Sequence, residues 1–309
     1  MKVYHRIEDF TPLGNAVVTS GMFDGVHLGH RKIIARLLEV SRSSGGESVV
    51  ITFWPHPRTV VSDDCSDLKL LSTLEEKTAL FELLGVQHLL VLPFTRAFSE
   101  LSSDEFIRSI LVKGIGTKKL VIGYDHRFGK NREGSFAFLK EHCGEYGFEV
   151  EEIASEDIDN LAVSSSRIRK ALFSGDVEEA NHLLGYDYAL SGTVVKGDQI
   201  GRTLGYPTAN LLVEAAYKLV PLDGVYAIRA EYNHTVYQGM LSIGLRPTVD
   251  GKHRTIEANL FDFNKEIYGE PLTIRFCKYL RPEEKFDSLD ALTQAIRKDK
   301  EDTLRFFAG

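Results

Sequence analysis

Short β-rich apolar runs alternate with amphipathic helical stretches from Ala16 to about Ile153. This alternation restricts the fold more than any other feature, because it predicts a parallel sheet whose strands are joined by helices. Strands are predicted at residues 16–20, 48–53, 88–92, 119–122 and 148–153. We therefore expect an α/β domain in the first half of the chain.

Helix signals lie between these strands. Residues 31–40 place four apolar side chains on one face of a helix. Thr73 with Glu76 is a capping-box pattern that predicts a helix over residues 74–84. The same pattern before residues 106–112 predicts another helix.

The character of the sequence changes near Tyr186, where short alternating segments separated by Gly, Pro, Asn and Asp replace the long helices. This pattern predicts a mainly β domain. Its strand candidates are residues 191–195, 224–231, 236–243, 255–260 and 272–279, followed by a closing helix at 287–298. Five or more short strands favour a small barrel. We predict two domains, residues 1–185 and 186–309.

The composition fits two domains and disfavours several kinds of partner. A length of 309 residues exceeds the roughly 100 to 200 typical of one domain. The net charge of -7 disfavours nucleic acid, since phosphate backbones require a basic surface. The chain has no apolar run long enough to span a bilayer and no signal-peptide core, which predicts a cytoplasmic protein without a membrane partner. Cys65, Cys143 and Cys277 are widely spaced and favour isolated thiols over a disulfide framework or a zinc site.

The run from Gly21 to His30 is the first candidate site. It follows a strand and opens a helix, so it lies at the sheet edge where open α/β folds bind ligands. His27 and His30 lie three residues apart at the helix start, where two imidazoles can donate hydrogen bonds to one phosphate. The loop residues assigned to phosphate binding are Gly21, Phe23, Asp24, Gly25 and Gly29. Read alone, two histidines at a helix start are more often surface or capping residues.

A second candidate element is the run from Val163 to Arg169, which also opens a helix. Hydroxyl groups, backbone amides and guanidinium groups converge there, and such a helix start suits the terminal phosphates of ATP. Ser165, Ser166 and Arg169 are the residues predicted to bind them. In isolation, a serine cluster of this kind is usually a helix cap.

Together these two runs resemble the HxGH and ISSTxIR signatures of nucleotidylyltransferases, in the version found in bacterial FAD synthetases. The resemblance implies a Rossmann-like domain that transfers an adenylyl group from ATP to FMN, giving FAD and pyrophosphate. It also implies that Pro57, Asp125 and Phe128 bind the flavin. One residue departs from the family pattern, since His126 stands where the family usually has an aromatic side chain.

The loop from Lys196 to Asn210 is the third candidate element. It is not a Walker A sequence, although Gly197, Gly201 and Gly205 make it suited to closing over phosphates. Thr208 and Asn210 offer oxygen ligands for a Mg²⁺ ion that bridges ATP phosphates. Without further context the same residues read as an ordinary turn.

This loop resembles the PTAN motif of riboflavin kinases, and the resemblance then covers nearly the whole chain. It implies a kinase barrel that phosphorylates riboflavin with ATP, with Glu257 as general base and Arg281 and Phe286 at the flavin. Glu257 on a strand could equally be a solvated face residue. Two alternatives stay open: a first domain that serves another acceptor, which His126 suggests, and a flavin-binding regulator without catalysis. The sequence also leaves open self-association and the choice between Mg²⁺ and Mn²⁺.

Overall fold

The computed structural model describes residues 1–62, 68–123, 126–153, 163–197, 199–248 and 251–309. The chain forms two compact units, Met1–Ser165 and Ser166–Gly309. The predicted domain boundary between residues 185 and 186 divides the chain by function and stays a prediction. Cys65, Asp125 and Asp198 lie outside the described residues.

The first unit is built on a six-stranded sheet with the order β1-β4-β3-β2-β5-β6, and every neighbouring pair is parallel. The strands are β1 Lys2–Tyr4, β2 Ala16–Ser20, β3 Glu47–Trp54, β4 His88–Pro93, β5 Thr117–Gly123 and β6 Glu149–Ile153. The predicted α/β fold is confirmed. β1 was not predicted, because three residues are too short to show a periodicity.

The central strand β2 is buried along its whole length, including the polar residues Thr19 and Ser20 at its end. Its residues alternate between two core clusters, with Val17 in one and Val18 in the other. Because β3 and β5 flank β2 in parallel, the loops after these three strands leave the sheet at the same edge. That edge carries the first candidate site.

Helices cover the connections between the strands. They are Leu28–Ser44, Pro57–Val61, Leu74–Leu84, Arg96–Ser99, Ser103–Phe106 and Phe136–Tyr146. Both predicted capping boxes are present, at Thr73 with Glu76 and at Ser102 with Glu105. The helix after Ser102 continues as a π-helix over Ile107–Ile115, a widening that helix periodicity does not predict.

The second unit contains a closed antiparallel barrel with the order β10-β11-β8-β7-β12-β9. Its strands are β7 Ala189–Val195, β8 Ala209–Leu212, β9 Gly224–Tyr232, β10 Thr235–Thr248, β11 Gly251–Leu260 and β12 Pro271–Arg281. The predicted barrel is confirmed. β8 was assigned to a loop, because it follows directly on the Gly- and Pro-rich segment that hides its strand pattern.

Helices of this half are Ser165–Phe173, Val177–Leu184, the short Ile200–Thr203 and the closing helix Leu289–Ala308, which is longer than predicted. The side chain of Asn181 donates to the carbonyl of Phe276 (2.8 Å) and accepts from the amide of Tyr188 (2.7 Å). Residues just before the barrel therefore pack with it. Among the described residues, no helix is both long and apolar enough to cross a membrane.

Candidate active sites

The first candidate site is the loop between β2 and the helix Leu28–Ser44. His27 is the N-cap of that helix, and its Nδ1 accepts a hydrogen bond from the amide of His30 (3.3 Å). In the neutral ring of His27 the proton therefore lies on Nε2, which makes that nitrogen a hydrogen-bond donor. The predicted placement of both histidines at a helix start is confirmed.

The two imidazoles stack on each other, with ring centroids 3.6 Å apart and planes inclined by 16°. Burial lowers the pKa of His30 well below its ordinary value, and the neighbouring His27 and Lys77 lower it further. His30 is therefore neutral near pH 7. Its Nδ1 is buried and has no hydrogen-bond partner among the described residues. A buried polar atom without a partner needs an explanation, and a catalytic role is one of them.

Asp24 anchors the loop. Its buried carboxylate accepts hydrogen bonds from the amides of Leu71 (3.0 Å) and Ser72 (3.2 Å). The hydroxyl of Ser72 in turn accepts from the amide of Gly25 (3.1 Å). The oxygens of Asp24 thus bind protein backbone, so its predicted part in phosphate binding would be to hold the loop in shape.

The segment before the helix Ser165–Phe173 meets this loop within the first unit. The hydroxyl of Ser165 donates to the carbonyl of Asp24 (3.0 Å). A Cβ on Gly29 would lie 3.1 Å from a methyl carbon of Val163, closer than most such contacts. Ser165 therefore contacts the histidine loop, next to which the sequence analysis placed it. Ser166 and Arg169 lie on the same helix, and their phosphate contacts stay a prediction.

The predicted flavin residues of this unit follow the strands that flank β2. Pro57 begins the short helix Pro57–Val61 after β3. Phe128 follows β5 and stacks on His126, with ring centroids 5.7 Å apart. His126 also contacts the hydroxyl of Ser20, the last residue of β2, through Nε2 (3.2 Å). His126 therefore packs on Phe128 and contacts the end of β2 at the same edge of the sheet.

His126 is expected to make the first unit sensitive to acid. Burial, together with the positive charges of Arg132 and Arg127, lowers the pKa of His126 to about 4. As pH falls from about 6.5 towards 4, the unfolded chain takes up a proton that the folded chain does not, so wild-type stability decreases. His126→Phe keeps the ring and should reduce this loss by up to about 3 kcal/mol. Denaturant unfolding of both proteins near neutral and acid pH measures the difference, and identical pH dependence would contradict the expectation.

Two cavities in the barrel unit form the second candidate site. One has a volume of about 560 Å³ and the other about 480 Å³. Thr208 lines both cavities, while Glu257 lines the larger. The hydroxyl of Thr208 donates to Oε2 of Glu257 (3.2 Å). A carboxylate and a hydroxyl thus meet where two ligand-sized spaces adjoin.

Strand pairing brings Asn210 to the same place, since it lies opposite Glu257 in the β8–β11 ladder. Gly197 packs against this amide, and a Cβ there would lie 2.4 Å from its Nδ2. A Cβ on Gly201 would likewise clash with the carbonyl oxygen of Tyr206. Gly205 has a φ of +83°, in the left-handed region that favours glycine. Each of the three predicted loop glycines therefore has a local reason to lack a side chain.

Asn259 is a site residue that the sequence did not reveal. It is buried beside the larger cavity, and its Nδ2 donates to the carbonyl of Pro207 (2.7 Å). This bond holds the backbone that presents Thr208. The residue was missed because its partner lies 52 positions away along the chain.

Arg281 and Phe286 both line the larger cavity, as a shared site requires. The guanidinium carbon of Arg281 lies 5.6 Å from the ring centroid of Phe286. Asp299 of the closing helix binds the guanidinium with both oxygens, at 2.8 and 2.7 Å, and raises the pKa of Arg281. Asp299 was not predicted, although it is buried and fixes the orientation of Arg281.

Fold and sites together define a class: a two-domain transferase with an HxGH-type parallel-sheet unit followed by an antiparallel barrel. A family model for FAD synthetase matches residues 10–167, and one for riboflavin kinase matches residues 184–307. The chain therefore belongs to the bifunctional riboflavin kinase/FMN adenylyltransferase family.

Relatives that carry this name match along nearly their whole length. The proteins from Listeria monocytogenes and Bacillus subtilis are each 40% identical over 95% of this chain and 93% of their own. The Escherichia coli K12 protein is 36% identical over 99% of this chain and 98% of its own. A crystal structure described as a macrolide-efflux protein from Streptococcus pneumoniae is 33% identical, has a TM-score of 0.88 and covers 97% of each chain.

Proposed function

We propose that the barrel unit phosphorylates riboflavin with ATP to give FMN, and that the first unit then transfers an adenylyl group from a second ATP to FMN. FAD and pyrophosphate are the final products. The observation that carries the proposal is the Thr208–Glu257 hydrogen bond at the meeting of two cavities. Family membership supports both activities.

In the kinase step, the terminal ribityl oxygen of riboflavin forms a bond to the γ-phosphorus of ATP as the bond to ADP breaks. Glu257 accepts the proton of that hydroxyl, because it lies on the wall of the cavity assigned to the flavin. Thr208 faces both spaces and orients the carboxylate. Positioning and electrostatics supply most of the rate in phosphoryl transfer.

Thr208 and Asn210 are the proposed holders of Mg²⁺. Hydroxyl and amide oxygens suit a hard cation that retains several waters, so the donor set fits. When bound, Mg²⁺ would offset the negative charge of the ATP phosphates. Gly197, Gly201 and Gly205 are proposed to bring backbone close to those phosphates.

In the adenylyl-transfer step, a phosphate oxygen of FMN attacks the α-phosphorus of ATP and the bond to pyrophosphate breaks. His27 and His30 donate hydrogen bonds to the charge that develops on the leaving group. The attacking phosphate is already largely ionised at neutral pH, so no general base is needed. Ser165, Ser166 and Arg169 are proposed to bind the β and γ phosphates.

Further residues are proposed to shape the phosphate site and to bind the flavin in each unit. The first-unit loop residues Gly21, Phe23, Asp24, Gly25 and Gly29 shape the phosphate site, and Pro57, Asp125 and Phe128 bind the flavin there. Arg281 and Phe286 bind the flavin at the barrel. We further propose a cytoplasmic protein whose partners are riboflavin, FMN and ATP, with neither nucleic acid nor membrane.

Incubation of the purified protein with riboflavin, ATP and Mg²⁺ tests the function directly. Chromatography of the products is expected to show FMN first and FAD with pyrophosphate later. FMN without FAD would indicate a different acceptor at the first unit. Tight flavin binding without ATP turnover would instead indicate a regulator.

Asp299→Asn is expected to raise the KM for riboflavin about tenfold with a smaller change in kcat, because Arg281 loses a charged partner and its fixed orientation. Asp302→Asn is the matched control, since Asp302 lies on the same helix and pairs with Arg305 at the surface (3.2 Å). Steady-state kinase assays measure both variants. An unchanged KM in Asp299→Asn would refute the assignment of Arg281 to the flavin.

A further inference from the structure

The histidine loop of the first unit has a strained backbone. Phe23 and Val26 have φ angles of 48° and 37°, a region that side chains rarely adopt, least of all a β-branched one. Each such residue costs about 1 to 3 kcal/mol and persists only where surrounding contacts hold it. The contacts that hold this loop therefore control the placement of His27 and His30.

Lys77 supplies one of these contacts from the helix Leu74–Leu84. Its side chain is buried, with only 3% of the residue exposed. Its Nζ donates to the carbonyl of Met22 at 2.6 Å and lies 3.5 Å from the hydroxyl of Thr52. That hydroxyl also donates to the Met22 carbonyl (3.3 Å). Met22 immediately precedes strained Phe23, so two donors fix the peptide at which the strain begins.

Burying the ammonium group of Lys77 costs desolvation free energy. Burial lowers the pKa of Lys77 to about 8, a shift that Asp24 partly opposes. Lys77 is thus still mostly charged near pH 7, and its field contributes to keeping His30 neutral. An apolar side chain of similar length would fill the site without desolvating a charge. Because an apolar residue would avoid this desolvation cost, we infer that the charge of Lys77 and its hydrogen bond to Met22 stabilise the loop.

We propose that Lys77 is a positioning residue for adenylyl transfer: its ammonium holds the Met22 carbonyl against the end of β3 and so keeps the strained loop, with His30, in the reactive arrangement. The proposal rests on the function proposed for this unit. Lys77 itself need not touch ATP or FMN. It acts through the backbone of Met22, and Thr52 assists at the same carbonyl.

Lys77→Met is expected to lower kcat for FAD formation from FMN and ATP about 100-fold, as small misplacements of catalytic groups do. The KM for ATP should change less than about threefold, since ground-state binding has other contacts. Riboflavin phosphorylation by the same preparation should be unchanged. Lys218→Met is the matched control: Lys218 is equally buried, at 4% exposure, but lies in the barrel unit, and its loss should leave FAD formation intact.

Thr52→Val removes the weaker donor with little change of shape and should lower kcat roughly three- to tenfold. Because both side chains act on one carbonyl, the double variant should be scarcely slower than Lys77→Met. A kcat within threefold of wild type in Lys77→Met, or a double variant slowed by the product of both effects, would overturn the proposal. If Lys77→Met does not fold, Thr52→Val decides alone, and an unchanged kcat refutes the role.

Failure of the proposed function would look different from failure of this inference. A wild-type protein that makes no FAD from FMN and ATP would refute the activity of the first unit. A wild-type protein that makes FAD, alongside a Lys77→Met variant that makes it equally fast, would refute only the role of Lys77.

Discussion

Glu257→Gln is expected to slow riboflavin phosphorylation about 1,000-fold, because the amide cannot accept the proton of the attacking hydroxyl. The substitution keeps the size of the side chain, so the contact with Thr208 and the walls of both cavities should persist. The KM for riboflavin should therefore change little. Single-turnover formation of FMN, measured at saturating ATP and Mg²⁺, gives the rate of the chemical step.

The barrel offers a matched control for this variant. Glu231 is also a carboxylate on a barrel strand, but it pairs with Arg275 at the surface (3.1 Å) and lines neither cavity. Glu231→Gln should keep the wild-type rate within about twofold. FAD formation from supplied FMN should survive in both variants. A Glu257→Gln enzyme that phosphorylates riboflavin at more than a tenth of the normal rate would exclude a general base at this position.

The sequence predicts the scaffold well where local patterns determine it. β2 and β3 are short runs rich in apolar and β-branched residues, and the predicted helices have clear caps at Thr73 and Ser102. Such signals depend only on near neighbours in the chain. β8 and the strand Lys2–Tyr4 give no such signal, since each becomes a strand only by pairing with residues far away.

In the candidate sites, too, residues that are close in sequence could be predicted together, whereas contacts between distant residues could not. His27 with His30, and Thr208 with Asn210, are close in sequence, so each pair forms one recognisable motif. The family resemblance was still needed to favour a site over a helix cap or a turn. Glu257 has no local signal and was assigned only through the family resemblance. Its hydrogen bond to Thr208 joins residues 49 positions apart.

Lys77 and Asp299, which position other site residues, could not be predicted because their partners are distant in the sequence. Lys77 lies 55 positions from Met22, and Asp299 lies 18 positions from Arg281. In the sequence each is one more charged residue of an amphipathic helix. Only burial distinguishes them, and burial depends on packing across the whole unit. Residues that position others are therefore the part of a site that requires a structure.

His30→Ala is expected to slow FAD formation from FMN and ATP about 100- to 1,000-fold, the usual effect of removing one donor from a developing negative charge. The variant also removes the ring on which His27 stacks, at 3.6 Å between centroids. His142→Ala is the matched control, because His142 also stacks on a neighbouring ring, Phe138, in a helix of the same unit (4.5 Å). Pyrophosphate release measures all three proteins, and a similar loss in both variants would point to a general loss of stability.

If the two sites are separate, Glu257→Gln and His30→Ala should each abolish only one of the two reactions. Glu257→Gln should still convert FMN to FAD, and His30→Ala should still convert riboflavin to FMN. A mixture of the two should then make FAD from riboflavin, since FMN released by one protein is a substrate for the other. Loss of both reactions in either single variant would contradict the two-site arrangement, because Glu257 and His30 lie in different compact units and neither reaction uses the other residue.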